Sequence, residues 1–179
     1  MIRGRLSRTG LSRTGARPLV AWVLGGALLG FGCRPQARLS HALESPEAVA
    51  RAVVEGLSAG DLNALRALAI DESEFRRIVW PRLPASRPER NLTWEYVWKD
   101  LNGKSEAHLR ALAAKWPGRG LQVAAVGFEG DTTDYGGFRV RRKTVVTLRD
   151  VQGQERQSRL FGSTIEMGGR VKVFSYVVD

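Results

Sequence analysis

Apolar residues recur along this chain with two different periods, and the change from one to the other falls near residue 121. Between residues 45 and 116 the spacing is that of helices. Ser45-Pro46 supplies an N-cap serine with proline at the first helical position, and Val49, Ala52, Val53, Gly56 and Leu57 then form one stripe. Gly60 ends that helix, and Asp61 caps a second, short one carrying Leu62, Leu65, Leu68 and Ala69. Asp71 and Glu74 make a capping-box pair ahead of Phe75, Ile78 and Val79; Pro81 and Pro84 stop the run, and residues 81–90 read as a Pro- and Arg-rich loop. Thr93 precedes Trp94, Val97, Trp98 and Leu101, and the pattern resumes after Gly103 with Leu109, Leu112, Ala113 and Trp116. One long helix with a soft point at Asn102-Gly103 and two short helices both satisfy that spacing.

From Leu121 the period is two, which predicts strands over 121–128, 135–149, 155–166 and 170–178. Gly130-Asp131, Gln152-Gly153 and Gly168-Gly169 supply turns for antiparallel hairpins. Along the second strand Phe138, Val140, Thr144, Val146 and Leu148 share one face, and Arg139, Arg141, Lys143, Thr147 and Arg149 share the other. Arg142 and Val145 interrupt that alternation. Helices first and an antiparallel sheet afterwards predict a two-layer α+β domain, with the N-terminal helices packed on a mostly antiparallel four-stranded sheet.

The stretch before residue 45 follows neither period. Arg3, Arg5, Arg8, Arg13 and Arg17 precede Pro18, and residues 19–31 are all apolar or glycine. A basic segment followed by an apolar one is the pattern of an export signal. Thirteen residues fall short of the roughly twenty that a helix needs to cross a bilayer, so a cleaved signal over 1–32 is expected rather than a stable span. The lone cysteine, Cys33, stands where processing is expected, and residues 33–44 read as its tether to a single domain over 45–179. One cysteine leaves no CxxC or zinc motif, and a domain of this size buries about two-thirds of its unfolded surface without disulfides.

Charge changes the picture less than the formal +10 suggests. Five of the 28 basic residues lie in the leader, and no acid precedes Glu44, so the remainder carries an excess of only five. That is poor ground for nucleic-acid binding, and the basic strand face of Arg139, Arg141, Lys143 and Arg149 lacks the interleaved aromatics such a surface uses. The face is read as solvated, with contact to anionic lipid headgroups as its candidate role.

Gly32-Cys33 at the end of the apolar run resembles the lipobox of bacterial lipoprotein signal peptides, although Gly30 and Phe31 depart from its usual residues. The resemblance implies that Cys33 receives diacylglycerol, that the preceding peptide is removed, and that the mature chain is anchored in a bacterial envelope membrane. Two or three acyl chains hold durably because each buried methylene contributes about 0.8 kcal/mol. The order of elements over 45–179 resembles the nuclear-transport-factor-2-like (cystatin-like) superfamily. That likeness implies a curved sheet wrapped around a long helix into a cone, often with a pocket. The segment Phe-Arg-Arg-Ile-Val-Trp-Pro-Arg-Leu-Pro-Ala-Ser from Phe75, with the terminal Val-Phe-Ser-Tyr-Val-Val-Asp, also resembles small bacterial lipoproteins of unassigned function.

Candidate chemistry is sparse. His41 falls in the tether, and His108 has no ligand at metal-binding spacing, so it reads as an exposed helical histidine. Glu129, Asp131 and Asp134 crowd a Gly-rich turn that lacks the ligand number of an EF-hand loop and reads as a solvated hairpin. No phosphate-binding glycine loop, Ser-His-Asp set or GxSxG elbow occurs, and no cofactor or metal is expected. The distinctive apolar set is Phe75, Trp80, Trp94, Tyr96 and Trp98, which line a pocket if the sheet curves around their helix and form a core stripe if it does not. Three functions are compatible with this pattern. The first is a non-enzymatic, lipid-anchored envelope protein whose domain binds a protein, a peptide or an apolar small molecule. The second is a pocket enzyme of the isomerase or cyclase kind, which needs Glu95 or Asp100 to point into the cavity. The third is a structural envelope component without a ligand.

Overall fold

A computed structural model describes residues 38–116, 118 and 120–178, which belong to one compact unit. The export segment, Cys33 and the first part of the tether lie outside the described residues. None of the helices among the described residues is long and apolar enough to cross a membrane.

The helical half follows its caps. Helix α1, Pro46–Ala59, starts where Ser45 Oγ accepts the Ala48 amide at 3.2 Å and ends at Gly60, whose φ of 69° lets its N–H turn back onto the last carbonyls. Helix α2, Leu62–Leu68, starts where Asp61 Oδ1 accepts the Asn63 and Ala64 amides at 3.0 and 2.9 Å. Helix α3, Glu72–Glu74, carries the reciprocal capping box: the Glu74 amide donates to Asp71 Oδ1 at 2.8 Å and the Asp71 amide to Glu74 Oε2 at 2.9 Å. A widened π turn, Phe75–Val79, continues it. The expected Pro-rich loop is in fact three short 3₁₀ turns, 80–82, 84–86 and 88–90, two of which open on a proline. Helix α4, Trp94–Ala114, runs through Asn102-Gly103 unbroken, which decides for one long helix. Lys104 Nζ donates to Asp100 Oδ2 at 2.8 Å across the glycine, bracing the soft point.

The strand half requires a correction. The expected four-stranded sheet is two antiparallel sheets built from seven strands among the described residues. Strands β1 (Gln122–Phe128), β4 (Thr144–Arg149) and β5 (Glu155–Ser158) form one sheet in the order β1-β4-β5. Strands β2 (Thr132–Asp134), β3 (Arg139–Arg142), β6 (Ser163–Met167) and β7 (Arg170–Ser175) form the other in the order β2-β3-β6-β7. The expected strands 135–149 and 155–166 each break in the middle. Lys143 takes a left-handed φ of 52° between β3 and β4, and Thr144 N–H reaches across to Gly162 O at 3.1 Å. Gly162 sits where the backbone of Val177 passes: a Cβ built there would lie 1.6 Å from Val177 O, so no other residue fits without moving the chain.

The break sends one expected face to two cores. Val146 and Leu148 join α1, Phe161, Val171 and Val173 in one cluster, whereas Phe138 and Val140 join Ile165 and the π-turn residues Phe75, Ile78 and Val79 in the other. Strand β7 divides them, with Val171 and Val173 turned to the first cluster and Phe174 to the second. Its free edge is covered. Leu43 and Val171 exchange two 2.8 Å backbone hydrogen bonds, and the Ile70 amide donates to Val173 O at 3.0 Å. Leu39 packs on the second cluster and Ser40 bonds Glu74, so the last part of the segment read as tether lies on the domain.

Candidate functional site

Helix α4 lies over both clusters, with Trp94, Val97, Trp98 and Leu101 on the second and Leu109, Leu112 and Ala113 on the first, and is only lightly covered: of its 21 residues, Ser105 and Leu109 are the buried ones. Two clefts flank it. Val97, Asp100, Leu101 and Lys104 recur at intervals of three and four and so share one face, which lines a cleft of about 390 Å³ against the four-stranded sheet. Phe75 and Leu83 close its floor, Val140 and Phe174 come from the sheet, and Tyr135, Arg142, Ser163 and Ser175 add polar atoms. On the other flank Trp98, Asn102, Ser105 and Glu106 line a cleft of about 280 Å³ toward α2 and α3, together with Arg66 and Tyr176. Leu101 and Phe174 border both.

The five aromatic residues singled out in the sequence divide between these roles. Phe75 is fully buried and lines the larger cleft, while Trp98 packs on it at 5.3 Å between ring centroids and lines the smaller one. Trp80 also packs on Phe75, at 6.3 Å between ring centroids, and Trp94 lies under the Arg76 guanidinium at 5.0 Å. Tyr96 is 66% exposed and lines neither cleft. Of the two carboxylates a pocket enzyme needs, Glu95 is exposed and lines neither cleft. Asp100 stands in the larger cleft but is held by Lys104 at 2.8 Å.

The smaller cleft contains an inter-helix clamp. Arg66 of α2 grips Glu106 of α4 with Nε at 3.0 Å from Oε1 and Nη2 at 3.1 Å from Oε2. The hydrogen bond to Glu106, followed by its charge, raises the guanidinium pKa further. Beneath it the buried Tyr176 donates its hydroxyl to Leu65 O at 2.7 Å, and its amide donates to Ser105 Oγ at 3.0 Å. Burial pushes the phenol well above the ordinary tyrosine range, and the Glu106 charge adds to the rise.

The basic face does not assemble. Arg139 and Arg141 flank Glu166 at 2.6 and 2.9 Å in one sheet, whereas Arg149 pairs with Glu155 at 2.6 Å in the other, and Lys143 lies at the bend between them. The residue that sequence reasoning passed over is their neighbour Arg142, which lines the larger cleft. Its signal was there, because it is one of the two residues that interrupt the strand alternation. His108 is exposed, with Nδ1 accepting from the Val178 amide at 3.5 Å. In the acidic turn Glu129 pairs with Arg159 at 2.6 Å, and Asp134 Oδ1 accepts the Gly136 amide at 2.7 Å. Among the described residues no three His, Cys, Asp or Glu side chains come together as a metal site.

No protein-family model, curated protein or solved structure matches this chain.

Proposed function

We propose that the chain is a non-enzymatic, lipid-anchored envelope protein whose α+β domain holds an apolar small molecule in the larger cleft beside α4. The single observation that carries this reading is the cleft itself. Its volume of about 390 Å³ falls in the ~300–1,000 Å³ range of small-molecule sites, and an apolar floor under a few polar groups is the usual chemistry of such sites. A long helix laid against an antiparallel sheet, with a cleft between them, also supports the cone-like nuclear-transport-factor-2-like architecture as part of the proposal. Acylation of Cys33 and residence in a bacterial envelope complete it, on the strength of the basic and apolar segments that precede the cysteine.

One observation favours the isomerase or cyclase reading, since Asp100 does line the cleft. Its carboxylate is about half exposed and occupied by Lys104, which suits a charged rim better than a base aimed at a bound substrate.

Titration of residues 35–179 with 1-aminoanthracene, a neutral apolar fluorophore, tests the binding reading. Saturable fluorescence enhancement is expected, and Val97→Trp, which fills the cleft from the lightly covered helix, should weaken it at least tenfold. Enhancement that never saturates, or that Val97→Trp leaves unchanged, defeats the proposal.

A further inference from the structure

We infer that Arg142 is a headgroup anchor and that the cleft takes a single-chain amphiphile ending in a carboxylate, a fatty acid of about twelve carbons. The inference rests on the small-molecule reading above and names the ligand's class. Three charged side chains line the cleft, and two of them cancel: Lys104 and Asp100 meet at 2.8 Å. Arg142 is left, so the mouth carries one net positive charge.

Among the described residues no carboxylate accepts from Arg142. The contrast with its neighbours is sharp, because Arg139, Arg141, Arg149 and Arg159 each meet a glutamate at 2.6–2.9 Å. Two hydroxyls hold the guanidinium instead: Nη1 donates to Thr133 Oγ1 at 3.0 Å and Nη2 to Tyr135 Oη at 3.3 Å. Its backbone is fixed as well, with the Arg142 amide donating to Asp131 O at 3.2 Å and its carbonyl accepting from Gly130 at 3.3 Å. A cationic fork positioned by neutral partners keeps its charge available, and its planar donors match a carboxylate two by two. Behind it the partly exposed Val97, Leu101 and Phe174 offer apolar surface to a chain, backed by the buried Phe75 and Val140. The volume stands at the small end for ligand sites, which suits one acyl chain rather than the two of a phospholipid.

Photolabelling of the full chain in membranes tests this. Dodecanoic acid and dodecanol, each carrying a terminal diazirine, should both label α4 around Val97 and Leu101. Arg142→Gln should lower the acid-to-alcohol labelling ratio at least tenfold while leaving alcohol labelling within twofold, which also reports that the variant is folded. Arg142→Lys, keeping the charge without the fork, should give an intermediate ratio. A ratio unchanged in both variants overturns the inference while leaving the cleft reading intact. Absence of cleft labelling by either probe overturns both. Unlabelled dodecyl phosphate competing more strongly than unlabelled laurate overturns the carboxylate in favour of a phosphate headgroup.

Discussion

Lys172 and Glu74 form an ion pair almost without water, at 2.8 Å with side-chain exposures of 1% and 3%. Removing two charges from water costs several kcal/mol each, and attraction offsets this only if the remaining valences are filled. Here they are. Glu74 Oε1 accepts both the amide and the hydroxyl of Ser40, Oε2 accepts the Asp71 amide, and Lys172 Nζ reaches Ser40 Oγ at 3.3 Å. Lys172→Met leaves a buried carboxylate without its cation and should cost about 3–5 kcal/mol. Glu74→Leu combined with Lys172→Met should cost clearly less than the two single changes added together, as read from urea denaturation midpoints. Strictly additive losses would show that the pair is not coupled. Tyr176 gives the pH dependence. Its folded pKa is raised, so the unfolded chain releases the phenolic proton first as pH climbs. The stabilisation is therefore fully present below the ordinary value of about 10 and is lost above it. Tyr176→Phe should be less stable at neutral pH by about 1–3 kcal/mol, because Leu65 O loses its donor, yet should decline less steeply above pH ~10. Parallel stability curves for the two proteins would contradict this account.

The elements were legible in proportion to how local their causes are. Ser45, Asp61, Asp71 and Thr93 cap the helices they announce, because a cap is a hydrogen bond to an amide two or three residues away. The sheet was misjudged at Lys143 and Gly162, where a long-range approach decides the path. A left-handed lysine carries no turn signature, and the need for glycine at 162 comes from Val177, fifteen positions later. The Arg142 and Val145 interruptions marked the break without saying that it divided the sheet. Lys172 and Glu74 were unreadable as a pair, since strand and capping box stand 98 residues apart and each has an ordinary local reason to be there. The bend supplies its own test. Gly162→Ala should destabilise the domain by several kcal/mol, because the conflict is with backbone rather than a movable side chain. Lys143→Gly should match the parent or exceed it by about 1 kcal/mol, as left-handed strain is relieved against the greater freedom of an unfolded glycine. Thermal melts giving the opposite order would place the hinge elsewhere.

At the scale of the whole molecule, the early start of the fold shortens the proposed tether. Leu43 is paired to β7, Ser40 is clasped by Glu74 and Leu39 packs on the core, so only six peptide steps separate Cys33 from Leu39. At about 3.3–3.6 Å per residue the reach is at most ~22 Å, which keeps an acylated protein's domain close to the membrane surface. Proximity raises the question whether the domain itself adheres. The arginines that made a basic face plausible now argue against it: Arg139 and Arg141 share Glu166 in one sheet and Arg149 pairs with Glu155 in the other, so the three keep only one net positive charge between them. Charges already paired add little to a surface that is itself screened within ~8 Å at physiological salt. Attachment should therefore reside in the acyl chains. A chain beginning at Pro35 should stay in the supernatant when spun with anionic phosphatidylglycerol vesicles at ~0.15 M salt, whereas the acylated protein should sediment with them. Sedimentation of the Pro35 form, abolished by Arg139→Gln and Arg141→Gln together, would return the lipid contact to the strand face.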